Sequence, residues 1–162
     1  MKKFVPFFIL SAAVLGLVVM SGRTASGQAV PGRLALFADM ALFTGNGQPR
    51  NCFLTNRFKV GEPVGIRATV IDGATGAPAA DAEVVAHLTY GGKTVDLPLR
   101  YRGPAPGATG GTPNLWTVKW TVPADAPTGI VQMTVTAKDK AGRTAEWKPF
   151  PNNQSHLTIV NE

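Results

Sequence analysis

The sequence predicts an all-β protein, a two-sheet sandwich of about seven or eight short strands behind an amino-terminal signal helix. Three observations lead there. Apolar and polar residues alternate with period two in several windows, as a strand with one buried and one wet face requires. Glycine and proline punctuate the chain about every ten residues beyond the amino terminus, too often for long helices. No window after residue 29 shows the 3.6-residue period of an amphipathic helix.

The amino terminus has the three parts of a secretory signal. Lys2 and Lys3 are positive, Phe4 to Met20 carries no charge, and Ser21, Gly22, Thr24, Ala25, Ser26 and Gly27 form a small polar exit. Gly27 and Ala29 occupy the positions where signal peptidase needs small side chains, so cleavage is expected after Ala29. The alternative is an inner-membrane anchor, because the apolar run approaches the roughly 20 residues that span a bilayer. In both cases the rest of the chain lies outside the cytoplasm, periplasmic or secreted, since the lysines hold the start inside.

Removing residues 1–29 of the 162 leaves 133, the length of one domain. A chain of that size buries about two thirds of its unfolded surface and folds without staples. Cys52 is the only cysteine, so no internal disulfide forms. Without Lys2, Lys3 and Arg23, thirteen bases face ten acids, and the net charge falls from +6 to +3. The bases, among them Arg50, Arg67, Lys93, Lys119 and Arg143, form no run. That pattern suits a solvated surface and gives no nucleic-acid footprint.

The strands are expected in the following places. A first spans about Leu34 to Phe43, ended by Gly45-Asn46-Gly47-Gln48-Pro49. In Val64 to Ile71, Val64, Ile66, Ala68 and Val70 share one face, and Asp72 to Gly76 turns the chain. Glu83 to Tyr90 places Val84, Ala86, Leu88 and Tyr90 inward and His87 outward. Thr94 to Tyr101 follows, with Pro98 marking a sheet edge because proline removes a ladder hydrogen bond. Gly103 to Pro113 should be a long loop. Trp116 to Val122 and Val131 to Lys138 alternate most strictly, and Trp116 and Trp120 are expected in the core. A hairpin through Lys140-Ala141-Gly142 into Arg143 to Lys148, then His156 to Val160, completes the set.

The order of these pieces is similar to a known family. Val70-Ile71-Asp72, Thr75-Gly76-Ala77-Pro78 and Asp81-Ala82-Glu83-Val84 resemble the second and third strands of bacterial immunoglobulin-like and macroglobulin-type domains of exported proteins. Trp120-Thr121-Val122-Pro123 with Pro127-Thr128-Gly129, and Ala137-Lys138-Asp139 with Gly142-Arg143, resemble their later strand, turn and closing hairpin. The resemblance covers Phe58 to Val160. It implies an immunoglobulin-like sandwich over residues 58–162, with residues 30–57 as a preceding strand and loop. It departs from the antibody pattern in lacking a cysteine pair. It also implies a non-catalytic module that packs against, spaces or binds other macromolecules, although the fold itself hosts many functions.

Chemistry-bearing residues are few. After Ala29 the only serine is Ser155, beside His156; neighbours in an extended segment point to opposite faces, which defeats a catalytic triad. Cys52, His87 and His156, with Met40 or Met133, have the composition of a copper site, but Cys52 precedes both histidines, unlike the blue-copper order. No paired spacing suggests zinc. Asp72, Asp81, Asp125 and Asp139 fall at loops, where turn formation accounts for them better than calcium. Trp147 and Phe150, flanking Lys148-Pro149, either anchor a partner or plug one end of the sandwich. Cys52 is expected as a small core side chain under a loop, the alternatives being a cofactor bond or a bond to another chain.

The expected function is an exported, non-catalytic accessory or binding module acting through protein contacts. Its partner would be another exported or membrane protein. It uses no cofactor, and it touches the membrane only through an uncleaved signal. Trp147, Phe150 and Cys52 are the candidate partner-binding residues. The alternative is a metal- or haem-associated periplasmic redox accessory using Cys52 with His87 or His156.

Overall fold

The computed structural model describes residues 32–103, 114–152 and 155–161. The signal segment 1–29 and most of the glycine- and proline-rich loop expected after Gly103 lie outside these residues. The described chain is all-β. Its strands are β1 (Leu34–Leu42), β2 (Phe53–Leu54), β3 (Arg57–Lys59), β4 (Pro63–Asp72), β5 (Glu83–Tyr90), β6 (Lys93–Tyr101), β7 (Trp116–Thr121), β8 (Gly129–Lys138), β9 (Thr144–Trp147) and β10 (Leu157–Val160).

Each long strand lies where alternation places it, within a residue or two. Val64, Ile66, Ala68 and Val70 of β4 face Val84, Ala86 and Leu88 of β5 and Val131, Val135 and Ala137 of β8 in one core. Trp116 and Trp120 are both buried there. Trp116 stacks obliquely on Tyr101 at 4.6 Å between centroids, and Trp120 on Tyr90 at 5.3 Å. The Trp116 Nε1–H donates to the Ala82 carbonyl at 3.2 Å, so the indole is buried with its donor satisfied.

The hydrogen-bonded path runs β2-β1-β4-β7-β6-β5-β8-β10-β3, with β9 branching from β8. All pairs are antiparallel except β10 with β3. This differs from two separate sheets, because β6 serves both halves. Lys93 to Leu99 pair only with β5, whereas Arg100 and Tyr101 pair with Thr117 and Trp116 of β7. The path curls into a half-barrel, so that β1 lies against β8 and β9 across the core. Pro98 sits in the one-sided stretch of β6, opposite Val85, where its missing N–H leaves no ladder bond unmade.

Two short strands fall in a segment that reads as a loop. In β3, Phe58 is fully buried between exposed Arg57 and Lys59, paired in parallel with Ile159. β1 is bonded to β4 along its whole length, from Leu34↔Asp72 to Leu42↔Val64, and β2 edges its carboxyl end. Gly65 of β4 is buried on the outer side, because the Phe43 ring lies over it. A Cβ there would come within 2.2 Å of the ring.

Candidate functional site

Cys52 does not enter the core. It is exposed, and its backbone lies in the left-handed region with φ 59°, as does Arg50 with φ 62°. The loop from Thr44 to Asn51 wraps on itself, with Gly45 N–H donating to Asn51 Oδ1 at 3.1 Å and Asn51 N–H to the Gln48 carbonyl at 3.3 Å. Cys52 N–H then donates to the Leu42 carbonyl at 2.7 Å, starting the β1–β2 ladder. The backbone bond is made by a residue whose left-handed conformation turns its thiol to solvent, which overrides the burial preference of cysteine.

Beyond Cys52, Phe53 is 55% and Leu54 60% exposed on the edge strand β2. The Arg50 guanidinium stands 5.7 Å from the Phe53 ring centroid, within cation–π range. Trp147 and Phe150 part company. Trp147 is half-buried and packs against the core, the plugging role, while Phe150 is 75% exposed. Cys52 opens onto β2 at one end of the sheet path, whereas Trp147 ends the β9 branch.

The proposed metal set is not assembled. His87 lies on the outer side of β5 with both ring nitrogens engaged, Nδ1 with Asp96 Oδ1 at 2.7 Å and Nε2 with Thr136 Oγ1 at 2.9 Å. His156 sits at the entry to β10, its Nδ1 buried without a hydrogen-bond partner among the described residues. Met40 and Met133 are core residues. Among the described residues no three His, Cys, Asp or Glu side chains gather as a metal site would need. The Ser155 hydroxyl donates to the Phe150 carbonyl at 2.7 Å, so it serves its own turn.

The aspartates work in turns and ion pairs. Asp72 Oδ1 accepts from the N–H groups of Ala74 and Thr75, both at 2.9 Å, and its other oxygen accepts from Arg143 Nη1. The Arg143 guanidinium and those two N–H groups hold the Asp72 carboxyl well below the usual carboxylate range. Asp139 is buried, which opposes its ionisation; hydrogen bonds from the Arg143 side chain and backbone outweigh that and keep it below the ordinary value. Arg143 in turn is held above its usual value, first by Asp72 and then by Asp139. Asp125 pairs with Lys93 at the surface, and Asp81 accepts from the Lys140 N–H at 3.3 Å.

No protein-family model and no curated protein matches this chain.

Two open clefts are lined by cations. One, of about 390 Å3, lies on the outer side of the β6–β7 join and is lined by Phe43, Gly45, Pro98, Arg100, Arg102, Thr117, Val118 and Lys119. The other, of about 440 Å3, is lined by Arg50, Thr55, Arg57, Lys59, Glu62, Val160 and Asn161, with Glu62 Oε2 accepting from the Lys59 N–H at 2.8 Å. Read along the chain these cations look scattered. The signals that could have found the first cleft are Arg100 and Arg102 two residues apart on one side of a strand, and Lys119 on the wet face of another.

Proposed function

We propose that this chain is an exported, non-catalytic binding module that acts through protein contacts in the periplasm or outside the cell. The observation that carries the reading is the exposed run Cys52-Phe53-Leu54 on the edge strand β2. Two consecutive large apolar side chains left more than half in water mark an interaction surface better than they mark a solvated loop. Phe150, three-quarters exposed, is a second apolar contact of the same kind. The architecture we read as an immunoglobulin-like sandwich. β4 and β7 share six paired positions, whereas β6 and β7 share two, so the join between the halves is narrow. On this reading β1, β4 and β7 form one layer and β5, β6 and β8 the other, with residues 1–29 as the signal peptide.

Because Cys52 is the only cysteine, a photoactivatable maleimide placed there reports on this surface alone. Irradiation in the envelope fraction of the native host is expected to give one discrete adduct with an exported or membrane protein. The change Phe53→Asp should abolish the adduct while leaving the strand-type circular dichroism intact. An adduct indifferent to Phe53→Asp, or none at all, would remove the reading. Amino-terminal sequencing of the mature protein should begin at Val30.

A further inference from the structure

The β6–β7 cleft differs from the rest of the charged surface in having cations without counterions. Elsewhere Arg67 pairs with Asp39, Lys93 with Asp125, Lys148 with Glu146, and Arg143 with Asp72 and Asp139. Arg100, Arg102 and Lys119 take part in none of these ion pairs among the described residues, and no acidic side chain lines their cleft. Asp96, on the same side of β6, is engaged by His87. Three like charges held together on two paired strands repel one another, so an anionic group entering the cleft gains attraction and relieves that repulsion. The second cationic cleft is weaker in this respect, because Glu62 lines it.

We infer that this cleft binds an acidic, extended segment of a partner protein, with carboxylates on alternate residues beside an apolar side chain. This rests on the reading of the chain as a protein-binding module. Arg100 and Arg102 lie two residues apart along β6, a spacing of about 6.6 Å, which is also the spacing of alternate side chains in an extended peptide. Lys119 adds a third charge from β7, whose Thr117 pairs with Arg100 and accepts from Arg102 Nε at 3.3 Å. Phe43, Pro98 and Val118 form an apolar wall for a side chain between the acids. All three cations are exposed and the cleft is open. That suits a segment anchored to a larger partner better than a small free anion, which needs most of its surface enclosed.

The test uses the purified protein and a short fluorescent peptide in which glutamate alternates with threonine around one phenylalanine. Its anisotropy should rise on binding, and binding should weaken as salt screens the charges. Arg100→Glu with Arg102→Glu should weaken it by about tenfold or more. The neutral pair Arg100→Gln with Arg102→Gln, a milder change for the fold, should weaken it less. Lys59→Glu, in the other cleft, should leave it unchanged. A peptide of the same composition with its glutamates contiguous should bind several-fold more weakly. Binding unchanged by both Arg100/Arg102 variants would overturn the inference. So would equal binding of the contiguous peptide, or Arg100-dependent binding of heparin or phosphatidylglycerol vesicles in place of the peptide. Loss of peptide binding with the Cys52 adduct retained would sink this site alone and leave the broader reading standing.

Discussion

Arg143 donates to Asp139 twice, from its side-chain Nε at 2.5 Å and from its backbone N–H at 2.8 Å, across the turn that joins β8 to β9. The same guanidinium reaches Asp72 in the turn after β4, so one side chain ties two turns that are distant in sequence. Removing it leaves a buried carboxylate without its cation, a costly state. Arg143→Ala is therefore expected to lower the thermal unfolding midpoint by several degrees. Arg143→Lys should recover only part, since an ammonium lacks the fork that serves two carboxylates. Equal midpoints for Arg143→Ala and the parent would show that the bridge contributes nothing.

The same network sets an acid limb. Asp72 and Asp139 ionise below the ordinary range in the folded state, so there they bind fewer protons than the unfolded chain does. Their stabilisation is complete above the unfolded carboxylate value of about 4 and is lost as pH falls through the folded values. Stability should be flat from neutral pH down to about 5 and fall below about 4. Asp72→Asn keeps an acceptor for Ala74 and Thr75 but loses the charge facing Arg143, so its acid limb should be shallower. Urea midpoints against pH will decide; parallel limbs for the two proteins would exclude Asp72 as a contributor.

Trp116 and Trp120 anchor opposite ends of the inner side of β7. Replacing either with alanine is expected to cost about 3–5 kcal/mol, the range for a large aromatic lost from a core. Trp116→Phe tests a different component, because it retains much of the packing but strands the Ala82 carbonyl. It should cost about 1–3 kcal/mol. A denaturant measurement giving less than about 1 kcal/mol for either alanine variant would mean the inward side has been misassigned.

Much of this was legible in the sequence, for a local reason. Val64 to Val70, Glu83 to Tyr90 and Val131 to Ala137 alternate because each strand has one dry side, and alternation needs no knowledge of the partner strand. Long-range pairing left no such trace. Phe58 is buried only because Ile159 arrives beside it, and the curl of the sheet depends on Arg100 and Tyr101 pairing beyond the end of the β5 ladder. Cys52 was misplaced because residue type favours burial, while its left-handed backbone follows from the loop before it. The cationic cleft was invisible for the first of these reasons. Its charges lie on two strands, and only pairing joins them.

Phe43 over Gly65 gives a test of packing on the outer side. Gly65→Ala should destabilise by about 1–3 kcal/mol, because the new methyl group drives the ring out of place. In the Phe43→Ala background the same change should be neutral or mildly stabilising, since alanine suits a strand better than glycine. Urea unfolding of the four proteins in the double-mutant cycle reads the coupling directly. Additive effects would mean that the ring and Gly65 are not in contact.

Cys52 gives the last prediction, and here structure and sequence make opposite forecasts. A buried thiol would label slowly in the native state; the exposed one should label at nearly the unfolded rate. Its left-handed backbone is strained for any side chain with a Cβ and unstrained for glycine. Cys52→Gly should thus fold with undiminished stability, whereas Cys52→Val should be clearly destabilised, because a β-branched side chain fits that conformation worst. An exposed thiol in an oxidising compartment also oxidises readily, so protein purified without reductant should contain a reducible dimer or mixed disulfide. Native labelling with a maleimide, followed by mass spectrometry, checks both points together. Slow native labelling, with Cys52→Gly less stable than Cys52→Val, would return the side chain to the core and invalidate the left-handed turn.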